Sequence, residues 1–230
     1  MNDLFVESVF FGVVLSLVAY EAGVQLKKRI DFMLFNPLLL AIAITMVVLL
    51  ACHVDYDIYY EGAKYLSYLL TPATVCLAIP LYQQMELLKG NWKAIVVGIC
   101  TGVLTSLTSV LVFSLVAGLN HKQYVTMLPK SITTAIGMGV SEELGGYVTI
   151  TVAVIVITGL FGNMIADIIC KVFRIEEPIA KGIAIGSSAH AMGTSKAMEM
   201  GEIEGAMSSL SIAVAGLLTV VGASVFANFI

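Results

Sequence analysis

The chain has 230 residues, of which 59% are hydrophobic and 12% charged, with a formal net charge of -4. Soluble domains carry about a quarter charged residues, so a mean hydropathy of +0.96 argues against an ordinary soluble enzyme and points to a membrane protein. The absence of any sizeable basic patch argues against a nucleic-acid partner.

The uncharged runs Phe32 to Cys52, Tyr65 to Met85, Ala94 to Asn120, Leu144 to Ala166 and Gly205 to Ile230 each meet the roughly 20 residues needed to span a bilayer. Leu4 to Leu26 is a further candidate, apolar apart from Glu7 and Glu21. The start MNDLFVES lacks the basic region of a cleavable signal peptide, so this first run is expected to stay as a helix. It ends in Lys27, Lys28 and Arg29, a cluster expected on the cytoplasmic side. Asn36-Pro37 opens the second span, and the acidic loop with Asp55, Asp57 and Glu61 suits the opposite side. The third segment, Gly62 to Glu86, carries Pro72 and Pro80, which break a helical ladder. Lys89 and Lys93 then read as a cytoplasmic loop before Ala94 to Asn120.

Gln123 to Ser141 holds Pro129, Lys130, Ser131, Thr133, Thr134, Gly137 and Gly139, and its uncharged part is short. If it crossed fully, the later basic loop with Lys171, Arg174 and Lys181 would fall outside; if it dips and returns, that loop lies inside. The expectation is therefore a re-entrant or broken segment, buried in protein or lining a wet cavity. The cytoplasmic loops then hold eight of the twelve basic residues, Lys64 and Lys122 lie outside or at that edge, and Lys130 and Lys196 are left within embedded segments.

Lys181 to Glu204 is the most polar of these segments, with Gly182, Gly186, Gly193 and Gly201 beside Ser187, Ser188, His190, Thr194, Ser195 and Lys196. At a constant offset of 116, Thr71, Ala73 and Thr74 meet Ser187, Ala189 and His190. The two segments run in opposite directions, the pattern of an inverted repeat with two discontinuous helices crossing near the midplane. The fold class read from the sequence is an all-α polytopic membrane protein. It has about seven spans plus the re-entrant segment, in one domain over 1-230, with repeats near 34-118 and 147-230. The N-terminus falls outside and the C-terminus inside. Small-residue spacings such as Gly98 to Gly102 permit close helix packing within or between subunits.

Broken helices expose N–H groups and a positive dipole end that favour an anion. Thr71, Pro72 and Thr74, Ser131, Thr133 and Thr134, and Ser187, Ser188, Thr194 and Ser195 border those breaks, with Lys130 and Lys196 as cations. Ser187, His190 and Thr194 share one face at i, i+3, i+7 spacing. The set suits a small organic anion such as a short carboxylate. Plainer readings stand beside it: hydroxyls that bond the i−4 carbonyl, His190 as a packing residue or a proton carrier, and Lys196 snorkelling toward Glu199 and Glu202. The four cysteines, Cys52, Cys76, Cys100 and Cys170, have no metal or disulfide spacing. With no phosphate loop and no nucleophile with an orienting acid, neither catalysis nor a cofactor is expected.

Asn36-Pro37-Leu38-Leu39-Leu40-Ala41-Ile42, TPATVCLAIPLYQQ from Thr71, LPKSITTAIG from Leu128, VSEELGG from Val140 and GSSAHAMGTSKAMEMGEIEGAMSSL from Gly186 together resemble the LrgB/CidB family. These are antiholin-like bacterial inner-membrane proteins, similar also to the membrane domain of the plant plastid glycolate/glycerate translocator. The resemblance covers essentially the whole chain. It implies either carriage of small monocarboxylates (pyruvate, glycolate, glycerate) or modulation of murein hydrolase activity and cell lysis with a small holin-like (LrgA/CidA-type) membrane partner. The embedded Lys, His and hydroxyls favour carriage. Two departures stand out: Ala135 replaces a usual proline, which leaves the break to Gly137 or softens it, and Lys196 replaces arginine, which removes bidentate carboxylate recognition.

Overall fold

The computed structural model describes residues 10–30 and 35–230, with Thr74 described for its backbone only. The start of the first expected span, with Glu7, and the first residues of the second, from Phe32, lie outside the described residues. Among the described residues the structure is helical, without strands. Among the described residues four stretches are long and apolar enough to cross a membrane: Tyr56–Gln83, Met85–Ala117, Val148–Val172 and Glu202–Phe229. The chain forms two compact units, divided between Cys76 and Leu77.

The first unit holds α1 (Phe11–Arg29), α2 (Pro37–Ala51), α3 (Tyr56–Ser67) and α4 (Leu70–Cys76). Asn36 starts α2 by accepting from Leu38 N at 2.9 Å and Leu39 N at 3.3 Å. Pro37 follows at the first helical position, where no N–H is needed. α1 packs on α2 and α3, and Ser16 Oγ meets Tyr59 OH at 2.8 Å. The prolines act as expected but displace the breaks toward the N-terminus. Pro72 is the third residue of α4, and the ladder opens before it at Tyr68–Leu69. Pro80 is the third residue of α5 (Ala78–Gln83), and the ladder opens before it at Leu77. A proline ring clashes with the carbonyl four residues back, so Thr71 to Thr74 stays helical while the turn preceding it unwinds.

The second unit begins with α5 and the 33-residue α6 (Met85–Ala117). Lys89 and Lys93 sit in the first turns of α6, so the expected loop there is helix instead. The helix runs through Gly90-Asn91 with no proline to stop it, Asn91 Nδ2 donating to the Leu87 carbonyl at 3.0 Å, and lysine is a good helix former. Ile95, Ile99, Val103, Leu107 and Val110 form a buried stripe along one face. That stripe packs with Met207 and Ala215 of α11 (Glu202–Phe226) in a single core. Val97, Leu104 and Val116 on the outer face are apolar and exposed, which is the two-faced pattern of a helix meant for lipid.

Next comes α7 (His121–Met127), opened by a capping box in which Asn120 and Gln123 bond each other's backbone N–H groups at 3.0 Å. After a turn through Leu128–Thr133, α8 (Thr134–Glu143) runs to the start of α9 (Val148–Val172). Thr151 Oγ1 of α9 lies 2.9 Å from Thr126 O at the end of α7 and 2.7 Å from Ser141 Oγ near the end of α8. Tyr147 N donates to Thr126 Oγ1 at 2.8 Å. The whole 121–143 stretch therefore leaves and returns to the same end of α9. The break precedes Ala135, which is the second residue of α8, and Gly137 lies inside that helix, so neither residue carries it.

α10 (Pro178–Met200) and α11 form the most extensive helix pair in the chain. Gly186 makes this possible: a methyl group there would meet the Ser208 backbone, with Ser208 Cα at 2.8 Å. α10 is broken at His190, whose φ of 42° and ψ of -138° are not helical.

Candidate functional site

The break in α10 has no proline to cause it. His190 is 2% exposed, and its Nε2 is 3.0 Å from the Ile155 carbonyl of α9. The ring occupies space that Gly159 leaves open, since a methyl there would lie 2.6 Å from Nε2. Around the break, freed backbone groups find side-chain partners. Thr194 Oγ1 donates to His190 O at 3.0 Å and meets Ser208 Oγ at 2.7 Å, while Asn163 Nδ2 donates to Met192 O at 2.7 Å. Buried polar groups must be paired in this way.

The break also undoes the face expected for Ser187, His190 and Thr194. Ser187 turns to α6, where a methyl on Gly102 would be 2.7 Å from its Oγ. His190 turns to α9 and Thr194 to α11. Ser187 and Ser188 bond the i−4 carbonyls of Ile183 and Ala184, at 2.7 and 2.6 Å. Ser195 is exposed. Lys196 forms ion pairs with Asp167 at 2.8 Å and Glu199 at 3.5 Å, so its charge is matched by acids, one of them on α9.

Lys130 is different. It sits in the turn between α7 and α8, and its Nζ donates to Ser131 Oγ at 3.0 Å. Ser106 of α6 donates to the same Ser131 oxygen at 3.0 Å. Among the described residues no carboxylate lies within 4.0 Å of Nζ. Lys130 lines a cavity of about 440 Å³ together with Thr158 and Gly162 of α9 and Ser188 of α10. The structure thus brings Lys130, Ser131 and Ser188 to one region. Thr133 precedes α8 without a side-chain cap bond and Thr134 is its first residue. Thr71 and Pro72 are exposed in α4 of the first unit. The side chain of Thr74 lies outside the described residues, and Thr74 and His190, which align at the offset of 116, belong to different units.

The sequence reading passed over α9 as a plain span. Thr158, Gly159, Gly162 and Asn163 are its contribution to the cavity and to the break. A carboxamide and two glycines within one apolar span were the signal for them, because each is poorly suited to facing lipid. No group of three or more His, Cys, Asp or Glu placed to hold a metal is found among the described residues.

Long apolar helices, interrupted helices and an embedded cation beside a cavity define a polytopic helical membrane protein. The chain belongs to the LrgB-like family, whose family model matches residues 16–229. It is 38% identical over 222 residues to proteins named "Antiholin-like protein LrgB" from Bacillus mycoides (strain KBAB4), Bacillus cereus (strain B4264) and Bacillus anthracis (strain CDC 684 / NRRL 3495), covering 96% of each chain. No solved structure matches it.

Proposed function

We propose that this chain works in a bacterial inner membrane as an antiholin-like protein, modulating murein hydrolase activity and lysis with a small holin-like membrane partner. The similarity over 96% of relatives that carry the antiholin-like name supports this reading. In this reading the chain is a homo-oligomer of about seven spans with opposed repeats. Its N-terminus is outside, its C-terminus is inside, and residues 121–143 form a re-entrant hairpin. The return of that stretch to one end of α9 supports the hairpin. The test is autolysis and murein hydrolase zymography in cells that express the chain with and without a holin-like partner. Reduced hydrolase activity with the chain present is the expected result; unchanged activity in both backgrounds contradicts it.

A specific observation supports a second reading, in which the same fold binds and carries small monocarboxylates. An embedded ammonium is costly, about 2.5–3.5 kcal/mol at a helix centre on insertion scales, and Lys130 Nζ, beside a cavity, donates to Ser131 Oγ with no carboxylate within 4.0 Å among the described residues. A carboxylate supplies the missing negative charge and a charge-assisted hydrogen bond. Lysis control then follows from altered flux of the anion. Proteoliposome uptake of labelled pyruvate, glycolate and glycerate separates the two readings, because a regulator without carriage gives no saturable uptake.

A further inference from the structure

The cavity beside Lys130 is chemically lopsided. Its lining has few polar side chains, Lys130 with Thr158 and Ser188 among them. Along α9 it continues past Phe161, Ile165 and Ile169 to Cys170, with Ile175 beyond the helix end. Thr158 to Cys170 is twelve helical residues, or about 18 Å at 1.5 Å per residue. Among the described residues Lys130 is the only charged one lining it. Lys171, Arg174, Glu176 and Glu177 are exposed just past Cys170, so that end of the cavity lies next to charged chain.

We propose that this cavity binds a monocarboxylate with an apolar tail, taken from water, with its carboxylate at Lys130 Nζ and its chain lying along α9 toward Cys170. The inference rests on reading Lys130 as a carboxylate site and sets which carboxylates fit it. A second carboxylate or a row of hydroxyls on the ligand would be stripped of water along Phe161, Ile165 and Ile169 without a partner, which opposes binding. A methylene placed there is buried instead and tightens binding about fourfold, the equivalent of about 0.8 kcal/mol. Hydroxylated two- and three-carbon acids use the charged end alone.

The experiment is calorimetric titration of the full chain, in nanodiscs of zwitterionic lipid, with acetate, butyrate, hexanoate, octanoate and glycerate; empty nanodiscs are titrated in parallel. Affinity is expected to rise about fourfold per methylene before levelling off, with glycerate no tighter than acetate. Lys130→Gln is expected to weaken the whole series at least tenfold and keep the slope. Ala184→Phe, which fills the wall one turn from Ser188, is expected to move the plateau to shorter acids while a thermal melt confirms folding. A flat series in which short hydroxy acids still need Lys130 overturns the tail assignment and leaves the carboxylate site standing. Absence of any Lys130-dependent binding overturns both. A slope matched by empty nanodiscs, or displaced only by fatty acid doped into the bilayer, assigns the effect to lipid and overturns the proposal.

Discussion

Gly159→Ala tests what holds α10 broken at His190. A methyl at Gly159 would lie 2.6 Å from His190 Nε2 and 2.9 Å from Met192 Sδ. Ordinary contacts fall near 3.5–4.0 Å, so the ring must retreat by about 1 Å. That movement stretches the 3.0 Å contact to Ile155 O beyond hydrogen-bond range. Overpacking of this kind costs about 1–3 kcal/mol, and an unpaired buried polar group costs about 1–3 kcal/mol more. Against this, alanine gains up to about 1 kcal/mol over glycine in helix propensity. The net expectation is a loss of about 1–5 kcal/mol, read as reduced thermal stability in detergent. His190→Ala removes the obstacle, so Gly159→Ala in that background should cost at least about 1 kcal/mol less, as neighbouring sites couple. Additive effects in the double-mutant cycle would refute the claim that the His190 ring and Gly159 share one space.

Gly139→Ala supplies the contrast, because nothing lies within 4 Å of a methyl at that position. It should be neutral or stabilising by up to about 1 kcal/mol, measured in the same thermal assay. Thr151→Val removes the hydroxyl that joins Thr126 O and Ser141 Oγ. A loss of about 1–3 kcal/mol and faster hydrogen exchange in residues 128–133 are expected. Asp167→Asn unpairs Lys196 from an acid at the partly exposed end of α9. The effect should stay within about 1 kcal/mol and shrink further in high salt. Asn36→Ala should cost about 1 kcal/mol through the lost cap of α2.

The sequence reached the helices through hydropathy and the breaks through residue chemistry, and it failed where tertiary contact decides. Pro72 and Pro80 announced two interruptions, and the structure moved them only to the turns before each proline. Lys130 stood out as a charge in an embedded, turn-rich stretch, and it is the cation that lines the cavity. The break at His190 was legible only as a region of glycines and hydroxyls. Its position depends on Gly159 and the Ile155 carbonyl, more than thirty residues earlier in the chain. Lys196 pairs with Glu199, an acid its local spacing suggested, and also with Asp167 on a different helix, which no local spacing relates to it. Lys89 and Lys93 were placed in a loop by charge alone, whereas charged residues extend a helix past a membrane surface as readily as they end it.

The most direct test of the account is uptake of labelled pyruvate, glycolate and glycerate by proteoliposomes containing this chain alone, compared with its Lys130→Gln variant. If the Lys130 ammonium beside the cavity is a carboxylate site that serves carriage, uptake saturates for at least one of these acids and is lost in the variant. Absence of saturable uptake, unchanged when a holin-like partner is added, would contradict the carrier reading and leave the antiholin-like role without a carried anion.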